Sequence, residues 1–228
     1  MGNTGVGSLE LTLELFYPCA VPRADNFIFR GAKPMAQQKN SKVIILAESA
    51  VMLALSIGLD FIKIWEMPMG GKVTLLSMLP ICLLSVKDGL KVGVPTAFLY
   101  SLYQLITGIA KGNVFIYTTT AAMVVICVLF DYLVPFTVLG FAGMLKKFKP
   151  AKFPELGILL GIILVIFIRF ACHYITGFEI WGQWAPEGQS KFVYSLIYNG
   201  QYMLPELLMT SIAAGILVKV PAIKKIID

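Results

Sequence analysis

From Val43 onward the chain alternates long apolar runs with short polar connectors. Six runs stand out: Val43–Ile62, Val73–Val86, Val92–Ile109, Tyr117–Leu145, Leu156–Ile175 and Phe192–Val218. A helix needs roughly 20 apolar residues to cross the hydrocarbon of a bilayer. Backbone in lipid must also satisfy its own hydrogen bonds, so each run predicts a helix. The expected fold is an all-α integral membrane protein, a bundle of six transmembrane helices, in which the second run is short and the fourth long. The stretch before them reads differently. Residues 1–34 (MGNTGVGSLELTLELFYPCAVPRADNFIFRGAKP) contain neither an apolar core of signal-peptide length nor a cleavage pattern. They are expected to be a tail or an extension of the gene model without order, with Met35 as the start and 35–228 as the membrane domain.

Composition supports the bilayer as solvent. Of 228 residues 57% are hydrophobic and only 14% charged, with a mean hydropathy of +0.79, far from the polar shell that a soluble domain of this size carries. The net charge of +6 does not mark a nucleic-acid binder, because the cations lie in short clusters between apolar runs. One set of connectors holds Arg23, Arg30, Lys33, Lys39, Lys42, Lys87, Lys91, Lys146, Lys147, Lys149, Lys152, Lys219, Lys224 and Lys225; the other holds Lys63, Lys72, Lys111 and Lys191. That asymmetry predicts cytoplasmic termini and places the 1–2, 3–4 and 5–6 connectors outside. The cysteines Cys19, Cys82, Cys127 and Cys172 form no CxxC pair and read as small buried hydrophobes.

Polar groups inside the runs carry the chemistry. A charge at mid-helix costs roughly 2.5–3.5 kcal/mol on insertion scales, yet Glu48, Asp131, Arg169, His173 and Glu206 lie in or near spans. Arg169 and His173, the only histidine, are four residues apart and so share a helix face. Asp131-Tyr132 interrupts the fourth run; Tyr194, Tyr198 and Asn199 interrupt the sixth. The last outward connector, GFEIWGQWAPEGQSK, holds Trp181 and Trp184. An Arg169–Asp131 ion pair with interfacial tyrosines would account for part of this. A pocket open to the outside, with aromatic walls and one acid, would account for it too, and would suit a small, flat organic cation. Asn199-Gly200 and Pro205 weaken regular helix in the sixth run, as expected where a helix lines a cavity. Glu48 and Glu206 read as structural partners of bundle groups, with a response of Glu206 to a partner protein as the alternative.

No GxxxxGK[ST], HExxH or GxSxG motif occurs, so neither ATP hydrolysis by this chain nor an enzyme activity is expected. No cofactor and no metal is expected, one histidine being a poor basis for a metal site. In the first run Ala47, Ala50 and Ala54 are closely spaced, and Ala50 with Ala54 forms a step of small residues on which another helix could pack.

Several stretches resemble the thiamine-specific substrate-binding subunits of energy-coupling factor transporters (the ThiT, or YuaJ, family). They are GGKVTLLSMLPICLLSVKDGLKVGVPTAFLYSLYQ, FDYLVPFTVLGFAGMLK, RFACHYITGFEIWGQWAPEG and YSLIYNGQYMLPEL, and they include HxxxGxxxWGxxAPxG followed by YxxxxNG. The likeness runs from about Ser41 to Val220. It implies a thiamine pocket on the outer face, with His173 and Trp181 stacking on the ligand, and Tyr194 and Asn199 hydrogen-bonding it. Asp131-Tyr132 would be the acidic pair facing the ligand and Arg169 a basic neighbour of that acid. Trp65 in the first connector aligns loosely with a further aromatic contact. The resemblance further implies that Ala50 and Ala54 dock on a transmembrane coupling subunit, with two ATP-binding subunits supplying energy, in a bacterial plasma membrane. A subunit for another vitamin or a thiamine precursor, and an autonomous secondary transporter relaying protons through Arg169, Asp131 and Glu206, are the rival readings.

Overall fold

The computed structural model describes residues 41–68 and 70–227. The expected tail, and Met35 as a start, lie outside the described residues. Helix α1 (Ser41–Asp60) leads into a hairpin of two short strands, β1 (Lys63–Glu66) and β2 (Lys72–Thr74), with Trp65 opposite Val73 and Glu66 opposite Lys72. Helix α2 (Leu79–Asp88) carries Pro80 in its first turn, where a missing N–H removes no helical bond. Gly89, at φ +83°, turns the chain into α3 (Leu90–Ala110). The fourth apolar run folds as α4 (Ala121–Cys127), a π-helical turn (Val128–Leu133), α5 (Val134–Thr137) and a 3₁₀ stretch (Val138–Leu145). Then follow α6 (Leu156–Glu179), a 3₁₀ turn (Trp181–Trp184), α7 (Lys191–Leu217) and α8 (Pro221–Ile227).

The structure corrects the expected spans in particular places. Val73 and Thr74 belong to β2, so the second run yields only a ten-residue helix, too short to cross a bilayer at about 1.5 Å per residue. The fourth begins at Ala121, where Thr120 caps the helix by accepting from Met123 N at 3.3 Å. The sixth begins at Lys191, capped by Ser190, which accepts from Val193 N at 3.2 Å. It does not break at Gly200 or Pro205: α7 runs unbroken past both. Irregular backbone lies instead in the fourth run, around Asp131. Among the described residues four rods are long and apolar enough to cross a membrane: Lys42–Asp60, Leu90–Ala110, Ala121–Leu145 and Leu156–Glu179.

The core follows from helical stripes. On α6 the buried positions Ile158, Ile162, Val165 and Ile166 continue, at the same three-and-four spacing, into Arg169, Cys172, His173 and Thr176. One face is thus apolar in its first half and polar in its second. The α3 stripe runs Thr96, Ala97, Tyr100, Ser101, Gln104 and Gly108; the α7 stripe runs Ser195, Asn199, Tyr202, Glu206 and Thr210. At the apolar end the helices meet almost backbone to backbone: a Cβ on Gly93 would lie 2.8 Å from Gly140 O. Ser85 ties the same junction, donating to Gly140 O and accepting from Gly143 N at 3.1 Å.

Glu48 and Glu206 have structural partners. Glu48 pairs with Lys87 between α1 and α2. Glu206 Oε1 accepts from Thr74 N at 2.6 Å and Thr74 Oγ1 at 2.8 Å, fastening the hairpin to α7. Cys82, Cys127 and Cys172 are buried free thiols; Cys19 lies outside the described residues. The Ala47, Ala50 and Ala54 positions of α1 are exposed.

Candidate functional site

Where the three stripes turn polar, they enclose a cavity, closed on one side by the hairpin. It is lined by Lys72 of the hairpin, Gln104 and Gly108 of α3, Asp131, Tyr132 and Phe136 of the fourth segment, Arg169, His173 and Gly177 of α6, Trp181, and Tyr194, Ser195, Tyr198, Asn199 and Tyr202 of α7. Its free space is about 90 Å³, room for a few water molecules.

Asp131 is the hub of this wall. Its Oδ1 accepts from His173 Nδ1 at 3.1 Å and from the Thr176 hydroxyl. Its Oδ2 accepts from Trp181 Nε1 at 3.0 Å and more weakly from Cys127 Sγ at 3.6 Å. The expected ion pair between Arg169 and Asp131 is not formed. Arg169 Nε lies 3.3 Å from His173 Nε2, and its guanidinium sits 4.3 Å over the Phe136 ring. Arginine only donates and the carboxylate accepts, so these partners select the His173 tautomer with its proton on Nδ1. The two charges communicate through the imidazole.

Aromatic rings form the remaining walls. Tyr194, Tyr198 and Tyr202 recur every fourth residue on α7, with centroid separations of 5.8 and 6.3 Å. His173 lies edge-on to Phe136 and Tyr202, and Tyr117 packs against Trp181 at 5.2 Å. Tyr132 backs onto Gly108, where any Cβ would collide with its phenol. Asn199 is heavily engaged: Nδ2 donates to His173 O at 3.1 Å and Ser195 O at 3.0 Å, while Oδ1 accepts from the Tyr202 hydroxyl at 2.7 Å.

Of the residues expected at the site, Asp131, Tyr132, Arg169, His173, Trp181, Tyr194 and Asn199 converge on the cavity. Trp65 does not: it is 49% exposed on β1 and lines no part of it. The residues that sequence reasoning missed fall into two kinds. Gln104 is a polar residue in the apolar α3 run, one turn after Tyr100, and could have been found. Lys72, Asn113 and Thr176 gave no such signal; Lys72 had counted only as a topological charge. Lys72 Nζ pairs with Asp60 Oδ2 at 2.5 Å, and Asp60 also receives Gln104 Nε2 at 3.0 Å. Burial pulls the Lys72 ammonium below the usual lysine range, with Asp60 opposing. At the hairpin's outer side Lys111 and Lys63 pull the Glu66 carboxyl down to about 2.

The chain is similar to one known family and to three known proteins. Residues 46–225 match the family described as thiamine transporter protein (YuaJ). A protein of Bacillus subtilis named thiamine transporter ThiT is 32% identical over 189 residues, covering 78% of this chain and 92% of the relative. A Lacticaseibacillus paracasei protein of the same name is 26% identical over 199 residues, covering 80% and 90%. The solved structure of ThiT from Listeria monocytogenes shares the fold, with a TM-score of 0.61 at 23% identity over 82% of this chain and 99% of that one.

Proposed function

This chain belongs to the thiamine transporter (YuaJ) family, and we propose that it captures extracellular thiamine as the substrate-specificity subunit of an energy-coupling factor importer. It is a multi-pass membrane protein, here placed in a bacterial plasma membrane. We assign it six membrane passages, the two beyond the four long apolar rods being the whole 72–88 segment, in which β2 and the turn after it extend the short α2, and the polar-striped α7, with both termini on the cytoplasmic side. Under the positive-inside rule the cavity then opens outward, since Lys63, Lys72, Lys111 and Lys191 lie at its end. The chain acts by binding and delivery rather than catalysis.

One observation supports this reading above the others: a partly buried carboxylate, Asp131, holds an indole and an imidazole at the wall of a cavity that three tyrosines of α7 also line. Thiamine is a flat heterocyclic cation, and aromatic faces attract a desolvated cation by ~2 kcal/mol. Trp181 and His173 would stack on it, with Tyr132, Tyr194 and Asn199 supplying directional polar contacts. Asn199 would use the second lone pair of its oxygen. The exposed Ala50 and Ala54 face of α1 would receive the transmembrane coupling subunit, and two ATP-binding subunits would drive release.

Titration of the purified chain with thiamine, followed by tryptophan fluorescence, tests the assignment. Saturable quenching is expected, and Trp181→Ala should remove most of it. A well-folded chain that does not respond to thiamine would overturn the reading. Uptake into proteoliposomes without any ATPase partner would favour the autonomous transporter.

A further inference from the structure

We propose that Asp131 and Thr176 form a partly buried anionic hub that acts on a bound cation through the rings of Trp181 and His173, and that Thr176 is the positioning residue that fixes it. The inference rests on the thiamine reading and adds to it how the charge is delivered. A carboxylate offers about four acceptor directions, and those of Asp131 are taken by Thr176 Oγ1, His173 Nδ1, Trp181 Nε1 and, weakly, Cys127 Sγ. No lone pair is left over for a ligand donor. Two of its four donors are the N–H edges of rings that line the cavity.

An N–H bonded to an anion is polarised, and in a low-dielectric site that polarisation is strong. It leaves the indole and imidazole faces richer in electron density, which is where a cation sits. Asp131 therefore serves as a counter-charge behind the rings and at the same time sets their orientation. Thr176 has no exposure to solvent or cavity, so it cannot meet a ligand itself. Its single hydroxyl proton has Asp131 Oδ1 as its closest acceptor, with His173 O at 3.1 Å as the alternative. It grips Oδ1 from the α6 side while Trp181 holds Oδ2.

The test uses the full chain in detergent and two ligands: thiamine, and an uncharged isostere in which a thiophene replaces the thiazolium ring. Thr176→Val keeps shape and removes the hydroxyl. It should weaken thiamine about tenfold, within the range of a cation–aromatic interaction, and the neutral isostere much less. Thr176→Ser should restore the preference. Asp131→Asn, which keeps the volume without the charge, should compress the cation-to-neutral ratio in the same way and serves if Thr176→Val misfolds. Equal losses for both ligands would reduce Thr176 to a packing residue and sink the proposal, as would an unchanged thiamine affinity in both variants. A wild-type chain that binds the isostere as tightly as thiamine would refute the hub alone, leaving the pocket reading standing. One that binds neither would overturn both.

Discussion

The Lys72–Asp60 pair allows a quantitative test of how the hairpin is held over the cavity. Asp60, the last residue of α1, is 3% exposed, and Lys72 reaches it from β2 at 2.5 Å. Lys72→Met leaves a buried carboxylate without its cation, which ordinarily costs about 3–5 kcal/mol. Asp60 retains Gln104 Nε2 at 3.0 Å and the Tyr100 and Tyr103 hydroxyls at 3.3 and 3.4 Å, so the lower end, about 3 kcal/mol, is expected. For a chain of this size that corresponds to a fall in Tm of roughly 6–12 °C. Asp60→Asn should cost a similar amount by leaving the ammonium with neutral amide oxygens, that of the new side chain and that of Gln104, in place of its carboxylate. The double variant removes both charges and their desolvation together. Burial already outweighs Asp60 in its effect on the Lys72 ammonium, so the double variant should lie within about 1 kcal/mol of wild type. Thermal unfolding of the four proteins in one detergent completes the cycle. A double variant whose loss equals the sum of the two single losses would refute the idea of a mutually dependent buried pair. A single variant costing under about 1 kcal/mol would show the site to be wetter than its burial indicates.

Two further outcomes follow from the hairpin and from the α6–α7 contact. Glu66, pulled down to about 2 by Lys111 and Lys63, lends the hairpin stability that is full above the ordinary carboxylate range and is lost as pH falls through it toward 2. Amide exchange over residues 63–74, compared with Glu66→Gln at each pH, should show protection converging between the two proteins in acid. The side chain is 40% exposed, so high salt should shrink the difference, and a constant gap down to pH 2 would contradict the assignment. At Gly177 an added Cβ would collide with Ser195 Oγ and lie 2.6 Å from Asn199 Nδ2. Gly177→Ala should therefore cost about 1–3 kcal/mol in stability and weaken thiamine binding together with it; unchanged values of both would show that the helices can part freely there.

How much of the site was legible depended on whether its signal lay within one element. Arg169 and His173 share a face at i and i+4 in an apolar run, and the structure puts both at the cavity, so an intrusion of polar residues into a helical stripe was readable. Asn199 stood out in the same way, as a polar interruption of the sixth run, whereas the ligand role of Trp181 came through the family resemblance; both line the cavity. What could not be read were partnerships across elements. Asp131 and Arg169 look like a natural ion pair along the chain. Yet the fold interposes the imidazole and gives the carboxylate to Thr176 and Trp181. Trp65, which the family resemblance aligned only loosely with an aromatic contact, lies half exposed on β1 and outside the cavity lining. The second run failed for a different reason. Hydropathy does not distinguish a strand of Val73 and Thr74 from the start of a helix, whereas Pro80 marks where the helix begins.

The position of the backbone irregularity explains how the fourth run brings residues from opposite faces of a regular helix toward one side. A proline such as Pro205 removes one N–H and frees one carbonyl, a local loss that a long helix with packed neighbours on both sides tolerates, and α7 passes through it. A π-helical turn instead changes the phase of everything that follows. Cys127 and Phe136 are nine residues apart and both buried. At about 100° per residue a regular α-helix would turn roughly 900° between them and place them on opposite faces. The wider turn over Val128–Leu133 advances roughly 80° per residue, cutting the total to about 800° and bringing the two toward one side. That shift lets Asp131 and Tyr132 face the cavity while Phe136 lies under the Arg169 guanidinium. Asp131 itself sits within the turn, so the unusual backbone and the acid that organises the rings are one feature. Nothing in the composition of VLFDYL announces it; the π turn is stabilised by what the side chains reach on α3 and α6, and those partners are far away in the sequence.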